Sequence, residues 1–206
     1  MPSGFLMNTG KEKWGGGFAL TKPIGRQTPR ASAPGVIPQR LHAESSCGIL
    51  NPHLKWSNMI YWFTGQPGSG KTTLAIALKS ALKTSGQTVV HLEGEFLRKL
   101  TGNGDFSEGG RVRNIKAGQQ LAAQLHAEGI SVVASFVSPY RDSREEFKRQ
   151  GDVLEIYVHT SAIRGRESFF VAGYEPPQKE FVDIDTTDVS VEKCVRKILQ
   201  AVPGGG

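Results

Sequence analysis

Gly65-Gln66-Pro67-Gly68-Ser69-Gly70-Lys71-Thr72 decides the fold of this chain. It matches G-x-x-x-x-G-K-[ST], the phosphate loop or Walker A motif, in full. Its flanks are those the motif requires. Ile60–Phe63 is a short apolar run that reads as a strand, and Thr72–Ser80 follows with helix formers and apolar positions at Leu74, Ile76, Leu78 and Leu82. Glycines let the backbone curl so that successive N–H groups point inward at phosphate oxygens, and a helix N-terminus adds a positive dipole end. Residues Gly65, Gln66, Pro67, Gly68, Ser69, Gly70, Lys71, Thr72 and Thr73 are therefore expected to cradle ATP. Lys71 reaches the β- and γ-phosphates, and the Thr72 hydroxyl is the candidate ligand of Mg²⁺.

Outward from the loop, strands and helices alternate. Gln87–Leu92 is a second strand candidate and Glu108–Glu128 a long helix with Ile115, Leu121, Ala122 and Leu125 on one side. Ile130–Val137 is a nearly continuous buried-type strand, Ser143–Gln150 a short helix, Val153–Val158 a strand and Phe181–Ile184 an edge strand. Val191–Val202 closes the chain as a helix capped by Ser190. This order implies an α/β fold, a doubly wound parallel sheet of the P-loop nucleoside triphosphate hydrolase/kinase kind, with ligands at the carboxyl ends of the strands. The motif by itself leaves kinase, ATPase and GTPase open. The chain lacks an Asn-Lys-x-Asp guanine reader, which weighs against a GTPase. Ile130–Val137 runs into Ser138-Pro139 rather than an acid, which weighs against a hydrolytic motor.

The chain has 206 residues, 38% hydrophobic and 21% charged, ordinary for one globular domain. The net charge of +6 is concentrated at one end: residues 1–58 carry +5 and residues 59–206 only +1. A nucleic-acid footprint on the folded body is therefore not expected. Residues 1–57, with Gly15-Gly16-Gly17 and Pro2, Pro23, Pro29, Pro34 and Pro38, read as a poorly ordered extension that cannot bury enough surface to offset its ordering entropy. A transit peptide is the competing reading of this acid-poor stretch. Met59, directly before the first strand, is where a native start would fall. The kinase domain is expected over 58–202, with 203–206 a frayed end. No apolar run approaches the roughly 20 residues of a membrane span. Cys47 and Cys194 show no metal or redox spacing. Cytoplasmic localisation and a small-molecule nucleotide acceptor are expected, with no membrane or nucleic-acid partner; a homodimer is left open.

The acceptor side begins at Glu93-Gly94-Glu95, two acids straddling a glycine after Val89-Val90-His91-Leu92. One carboxylate can orient or deprotonate an acceptor hydroxyl while the other holds Mg²⁺ through water. Here the chain resembles the adenylyl-sulfate kinases. That family carries Leu-Asp-Gly-Asp at this place, then an Arg, an aromatic-Ser pair, an Arg and Asn-Ile on the long helix. This chain has Arg98, Phe106-Ser107, Arg111 and Asn114-Ile115 in the same order. The family's Phe-Ile-Ser-Pro-Tyr-Arg is matched by Phe136-Val137-Ser138-Pro139-Tyr140-Arg141, followed by Arg144. Phe170 and Tyr174-Glu175-Pro176-Pro177 resemble its later blocks. The likeness spans about residues 58–202. It implies transfer of the ATP γ-phosphoryl to the 3′-hydroxyl of adenylyl sulfate, in sulfate assimilation. It also implies Lys71, Glu93, Glu95 and Ser138 as the catalytic set, the serine as a phosphoryl carrier. Arg98, Phe106, Arg111, Asn114, Ser138, Pro139 and Phe170 are implied as the acceptor site, with Phe106 and Phe170 on the adenine and the arginines on the phosphosulfate. Core packing is the alternative for the phenylalanines, and a hydrogen bond to ligand or backbone the alternative for Ser138.

Two departures stand out. Glutamates replace both family aspartates. The family lid motif Asp-Pro-Lys-Gly-Leu-Tyr-Lys has no counterpart; the shorter Ser161–Glu167 runs in its place, with Arg164 and Arg166 as the lid cations. These departures keep two rivals in view: a kinase of another nucleotide-linked acceptor such as a nucleoside diphosphoramidate, and a non-catalytic nucleotide-binding module.

Overall fold

A computed structural model describes residues 58–202. The proposed extension at 1–57, with Cys47, and the end at 203–206 lie outside the described residues. Five strands, β1 (Ile60–Thr64), β2 (Val89–Glu93), β3 (Ser131–Ser135), β4 (Val153–His159) and β5 (Phe181–Asp185), form one sheet in the order β2-β3-β1-β4-β5. Every pairing is parallel. The helices are α1 (Lys71–Thr84), α2 (Gly94–Thr101), α3 (Glu108–Ala127), α4 (Arg141–Lys148) and α5 (Val191–Gln200). Among the described residues none is long and apolar enough to cross a membrane.

The period of two along β1 explains the two layers. Tyr61 and Phe63 point to one face, into a core with Leu74, Leu78 and Leu82 of α1 and Val195, Ile198 and Leu199 of α5. Ile60 and Trp62 point to the other, against Leu97 of α2, Ile115 of α3 and Phe147 of α4. All five residues of β1 are buried, as a central strand covered on both sides must be. On the second face Trp62 stacks on Phe136 at 4.7 Å between ring centroids, and Gly118 lets α3 approach: a Cβ there would sit 2.5 Å from the Phe136 ring.

The expected strands and long helices are present, and β5 stands at an edge of the sheet as anticipated. Two local expectations change. Ile76 is half exposed rather than part of the α1 core stripe. The stretch from Gly94, read as a loop, is helix α2, so the two acids are divided: Glu93 ends β2 and Glu95 lies in the first turn of α2.

Candidate active site

The phosphate loop joins the carboxyl end of β1 to α1. Gly65 has φ of 142°, and a Cβ there would collide with the carbonyl oxygen of Val158, so only glycine fits. Ser69 and Lys71 are buried. The first turn of α1 holds no acid, and no side chain caps it. By contrast Ser107 caps α3 and Ser190 caps α5. The N-terminal N–H groups of α1 thus keep their hydrogen-bonding capacity and dipole for an anion. Lys71 folds back over the loop, its Nζ donating to the Gln66 carbonyl at 2.7 Å. Burial lowers its pKa to about 8. Thr73 lies exposed on the first turn.

Across the switch in strand order, the Thr72 hydroxyl donates to the Glu93 carboxylate at 3.2 Å. Glu95 does not join them; it is exposed and pairs with Lys99 one turn along α2 at 3.3 Å. A hydroxyl beside a single carboxylate is a hard-oxygen donor set suited to Mg²⁺, which takes few protein ligands and completes its shell with water and phosphates. No cluster of three or more His, Cys, Asp or Glu side chains suited to a metal occurs among the described residues.

Of the residues expected at the acceptor site, Arg98, Phe106, Arg111 and Asn114 lie on α2, the turn after it and α3, whereas Ser138, Pro139 and Phe170 lie elsewhere. Arg98 donates to the Asp105 carbonyl at 2.6 Å, and its guanidinium lies 4.5 Å from the Phe106 ring centroid. Burial and the neighbouring Arg111 both lower its pKa, opposed by Asp105. Two adjacent guanidiniums favour an anion between them. Asn114 is buried; its amide donates to the Gly94 carbonyl at 3.0 Å, while its Oδ1 has no protein partner. Phe106 and Phe170 are 65% and 50% exposed, so core packing is excluded for both, and one face of Phe106 is covered by Arg98.

Ser138, expected as a phosphoryl carrier or as a hydrogen-bond partner of ligand or backbone, follows β3. It is 1% exposed, with φ of 42° and a buried hydroxyl without partner. The surroundings use its carbonyl, which accepts from Arg144 Nη1 at 2.6 Å. Pro139 is likewise buried, and its carbonyl accepts from the Glu175 N–H at 3.0 Å.

Arg164 and Arg166 sit against the phosphate loop. Arg164 donates to the carbonyls of Gly68 at 3.3 Å and Thr186 at 2.8 Å, and a Cβ on Gly68 would lie 2.9 Å from that of Arg166. Both arginines remain exposed, as cations over a phosphate site need to be.

Sequence patterns missed several supports. The Thr186 hydroxyl donates to the Ser69 carbonyl at 2.9 Å. Tyr174 meets the Thr64 hydroxyl at 2.8 Å, its own pKa raised chiefly by burial. Arg144, 1% exposed, binds Glu155 at 2.6 Å and the Glu175 carbonyl at 2.5 Å. Of these, Ser69, Arg144, Tyr174 and Glu175 carried a prior signal through the motif blocks, while Thr64, Glu155 and Thr186 carried none.

Residues 57–168 match the family model described as adenylylsulphate kinase. The chain belongs to the adenylylsulphate kinase family. An adenylyl-sulfate kinase of Bacteroides fragilis is 34% identical over 171 residues, covering 72% of this chain and 85% of that protein. Among solved structures, that of APE1195 superposes with a TM-score of 0.62 at 29% identity, over 73% of this chain and 97% of its own. The APS kinase of Mycobacterium tuberculosis in complex with AMPPNP and APS superposes with a TM-score of 0.61 at 21% identity, over 71% and 98%, a likeness of fold. The family match ends inside the short 3-10 turn Glu167–Phe169, so Phe170 and Tyr174–Pro177 lie beyond it. As a member of this kinase family, the protein is an ATP-binding phosphotransferase.

Proposed function

We propose that the protein transfers the γ-phosphoryl group of ATP to the 3′-hydroxyl of adenylyl sulfate, giving ADP and 3′-phosphoadenylyl sulfate. The observation that carries this reading is the meeting of Thr72 and Glu93 beside a complete phosphate loop, in a chain of this family. The loop amides and the N-terminus of α1 bind the phosphates. Lys71, drawn from the Gln66 carbonyl to the β- and γ-phosphates, neutralises charge as the phosphoryl group moves. Thr72 and Glu93 would hold Mg²⁺, which screens the phosphate charge and aligns the γ-phosphoryl for in-line attack. Arg164 and Arg166 supply further cations from the lid side.

On the acceptor side Arg98 and Arg111 take the phosphosulfate anion, Phe106 and Phe170 stack on adenine, and Asn114 Oδ1 accepts a hydrogen bond from the ligand. The reading gives Glu93, beside Thr72, the orientation of the reacting hydroxyl as well as the metal. Ser138 acts through its backbone, so transfer is direct between the bound substrates. In-line transfer needs no covalent relay, because catalysis here is positioning and charge stabilisation. The proposed setting is a cytoplasmic enzyme of sulfate assimilation, which cell fractionation tests; sedimentation decides whether it pairs as a homodimer.

The deciding experiment follows ADP release from MgATP with and without adenylyl sulfate. Acceptor-dependent release, abolished in Lys71→Ala, supports the assignment. ATP binding with no acceptor-dependent release overturns the acceptor, and a panel of other nucleotide acceptors then replaces it.

A further inference from the structure

Gln66 occupies a variable position of the phosphate loop, yet both polar atoms of its side chain are committed. The Val171 N–H donates to Gln66 Oε1 at 2.9 Å, and Gln66 Nε2 donates to the Val171 carbonyl at 3.0 Å. This two-point pairing joins residues 105 apart in sequence, and Val171 is 7% exposed. The backbone carbonyl of the same Gln66 accepts from Lys71 Nζ at 2.7 Å and from the Ser69 N–H at 3.2 Å. One residue therefore holds the loop lysine through its backbone and a distant segment through its side chain.

That segment is the acceptor strap. Val171 directly follows Phe169 and Phe170, both half exposed or more. Farther along, the strap is fastened to the scaffold: Tyr174 to Thr64 at 2.8 Å, and the Pro176 carbonyl to Arg141 Nε at 3.1 Å. Arg144 holds the Glu175 carbonyl. Those anchors stand on the ends of β1 and on α4. The anchor beside Phe170 alone stands on the phosphate loop itself.

We propose that Gln66 is a positioning residue that couples the nucleotide site to the acceptor site by fixing the strap at Val171, and with it Phe170. The coupling to the acceptor rests on the function proposed above. A nucleotide draws Lys71 off the Gln66 carbonyl and orders the loop peptides around its phosphates. The Gln66 amide passes that ordering to Val171, so nucleotide-bound enzyme presents Phe170 in one place. Because coupling is reciprocal, bound acceptor tightens nucleotide by the same factor. Two neutral hydrogen bonds support a factor on the order of tenfold, within the usual range for coupled sites.

The test uses the full chain and hydrogen–deuterium exchange, with and without Mg·AMPPNP and no acceptor. In the wild type, nucleotide is expected to slow exchange at Val171 and its neighbours as well as in the phosphate loop. In Gln66→Leu the loop is still protected by nucleotide while the slowing at Val171 is lost. Gln66→Glu, which keeps an acceptor for the Val171 N–H but loses the donor, lies between, and carries the comparison if the leucine variant folds poorly. Equal slowing at Val171 in the wild type and the variants, or none in the wild type, overturns the proposal. In turnover, KM for adenylyl sulfate at saturating MgATP rises about tenfold in Gln66→Leu and more than kcat falls; a purely structural role would lower kcat and thermal stability with KM unmoved. If the wild type does not turn over adenylyl sulfate, the acceptor assignment fails, while the exchange comparison still decides the coupling.

Discussion

The Thr72 hydroxyl lies 3.2 Å from the Glu93 carboxylate, joining the first turn of α1 to the end of β2 although β3 separates β1 from β2 in the sheet. Both side chains carry oxygen atoms able to ligate a hard cation.

That geometry separates the two acids. Glu93→Gln is expected to lower kcat by about 10²–10³-fold, the typical loss on removing one charge-stabilising group, and to raise the Mg²⁺ concentration for half activity. Glu95→Gln, removing an exposed partner of Lys99, is expected to cost less. Steady-state rates across a Mg²⁺ titration check both. Equal losses from the two substitutions would contradict the assignment of Glu93.

Burial holds the pKa of Lys71 at about 8, below the ordinary lysine value of 10.5. Between these two values the unfolded chain binds the proton that the native lysine has lost. This group's contribution to stability therefore rises with pH across that window. Phosphates favour the charged form and raise the pKa again, so AMPPNP binding near pH 8 should take up protons. Calorimetry in buffers of different ionisation enthalpy measures that uptake, and Lys71→Ala should remove it.

Arg144 and Glu155 form an ion pair in which each side chain is 1% exposed, with Lys148 3.0 Å from the other Glu155 oxygen. Arg144→Met would leave Glu155 with that lysine alone and release the carbonyls of Ser138 and Glu175. A loss of about 3–5 kcal/mol is expected from breaking a buried pair on one side. Adding Glu155→Leu should recover much of it. Denaturant midpoints of the single and double variants check this, and nucleotide affinity should follow stability rather than charge.

Gly118→Ala places a methyl 2.5 Å from the Phe136 ring, which is itself stacked on Trp62. Overpacking of this kind costs about 1–3 kcal/mol. Phe136→Leu in the same chain should return part of the loss. Thermal unfolding measures it, and Mg·AMPPNP affinity should change little because the phosphate loop lies at the end of β1 rather than beneath this helix.

The phosphate loop was legible from residue types because its function is local: glycines, a lysine and a threonine at fixed offsets act through a short backbone segment. The alternation of strands and helices was legible for the same reason, since runs such as Ser131–Ser135 declare burial on both faces by composition. Helix α2 was not. Gly94 reads as a loop residue, and it stands at the helix start because a Cβ there would lie 2.8 Å from the Phe136 ring, a contact made across the core. The enclosure of Ser138 was equally hidden. Its motif is a strand end before proline, which suits an exposed hydroxyl; the carbonyl contacts from Thr64 and Arg144 turn it inward.

The sequence by itself determined the nucleotide chemistry, the fold class and the family, all carried by short motifs and by periodicity along the chain. Only the tertiary structure decided which acid faces Thr72, that Phe106 and Phe170 are exposed rather than packed in the core, and that Gln66 grips Val171. Each of these depends on residues distant in sequence meeting at the carboxyl ends of strands. The order β2-β3-β1-β4-β5 that brings them together arises from packing both faces of the sheet at once, and no local pattern encodes it.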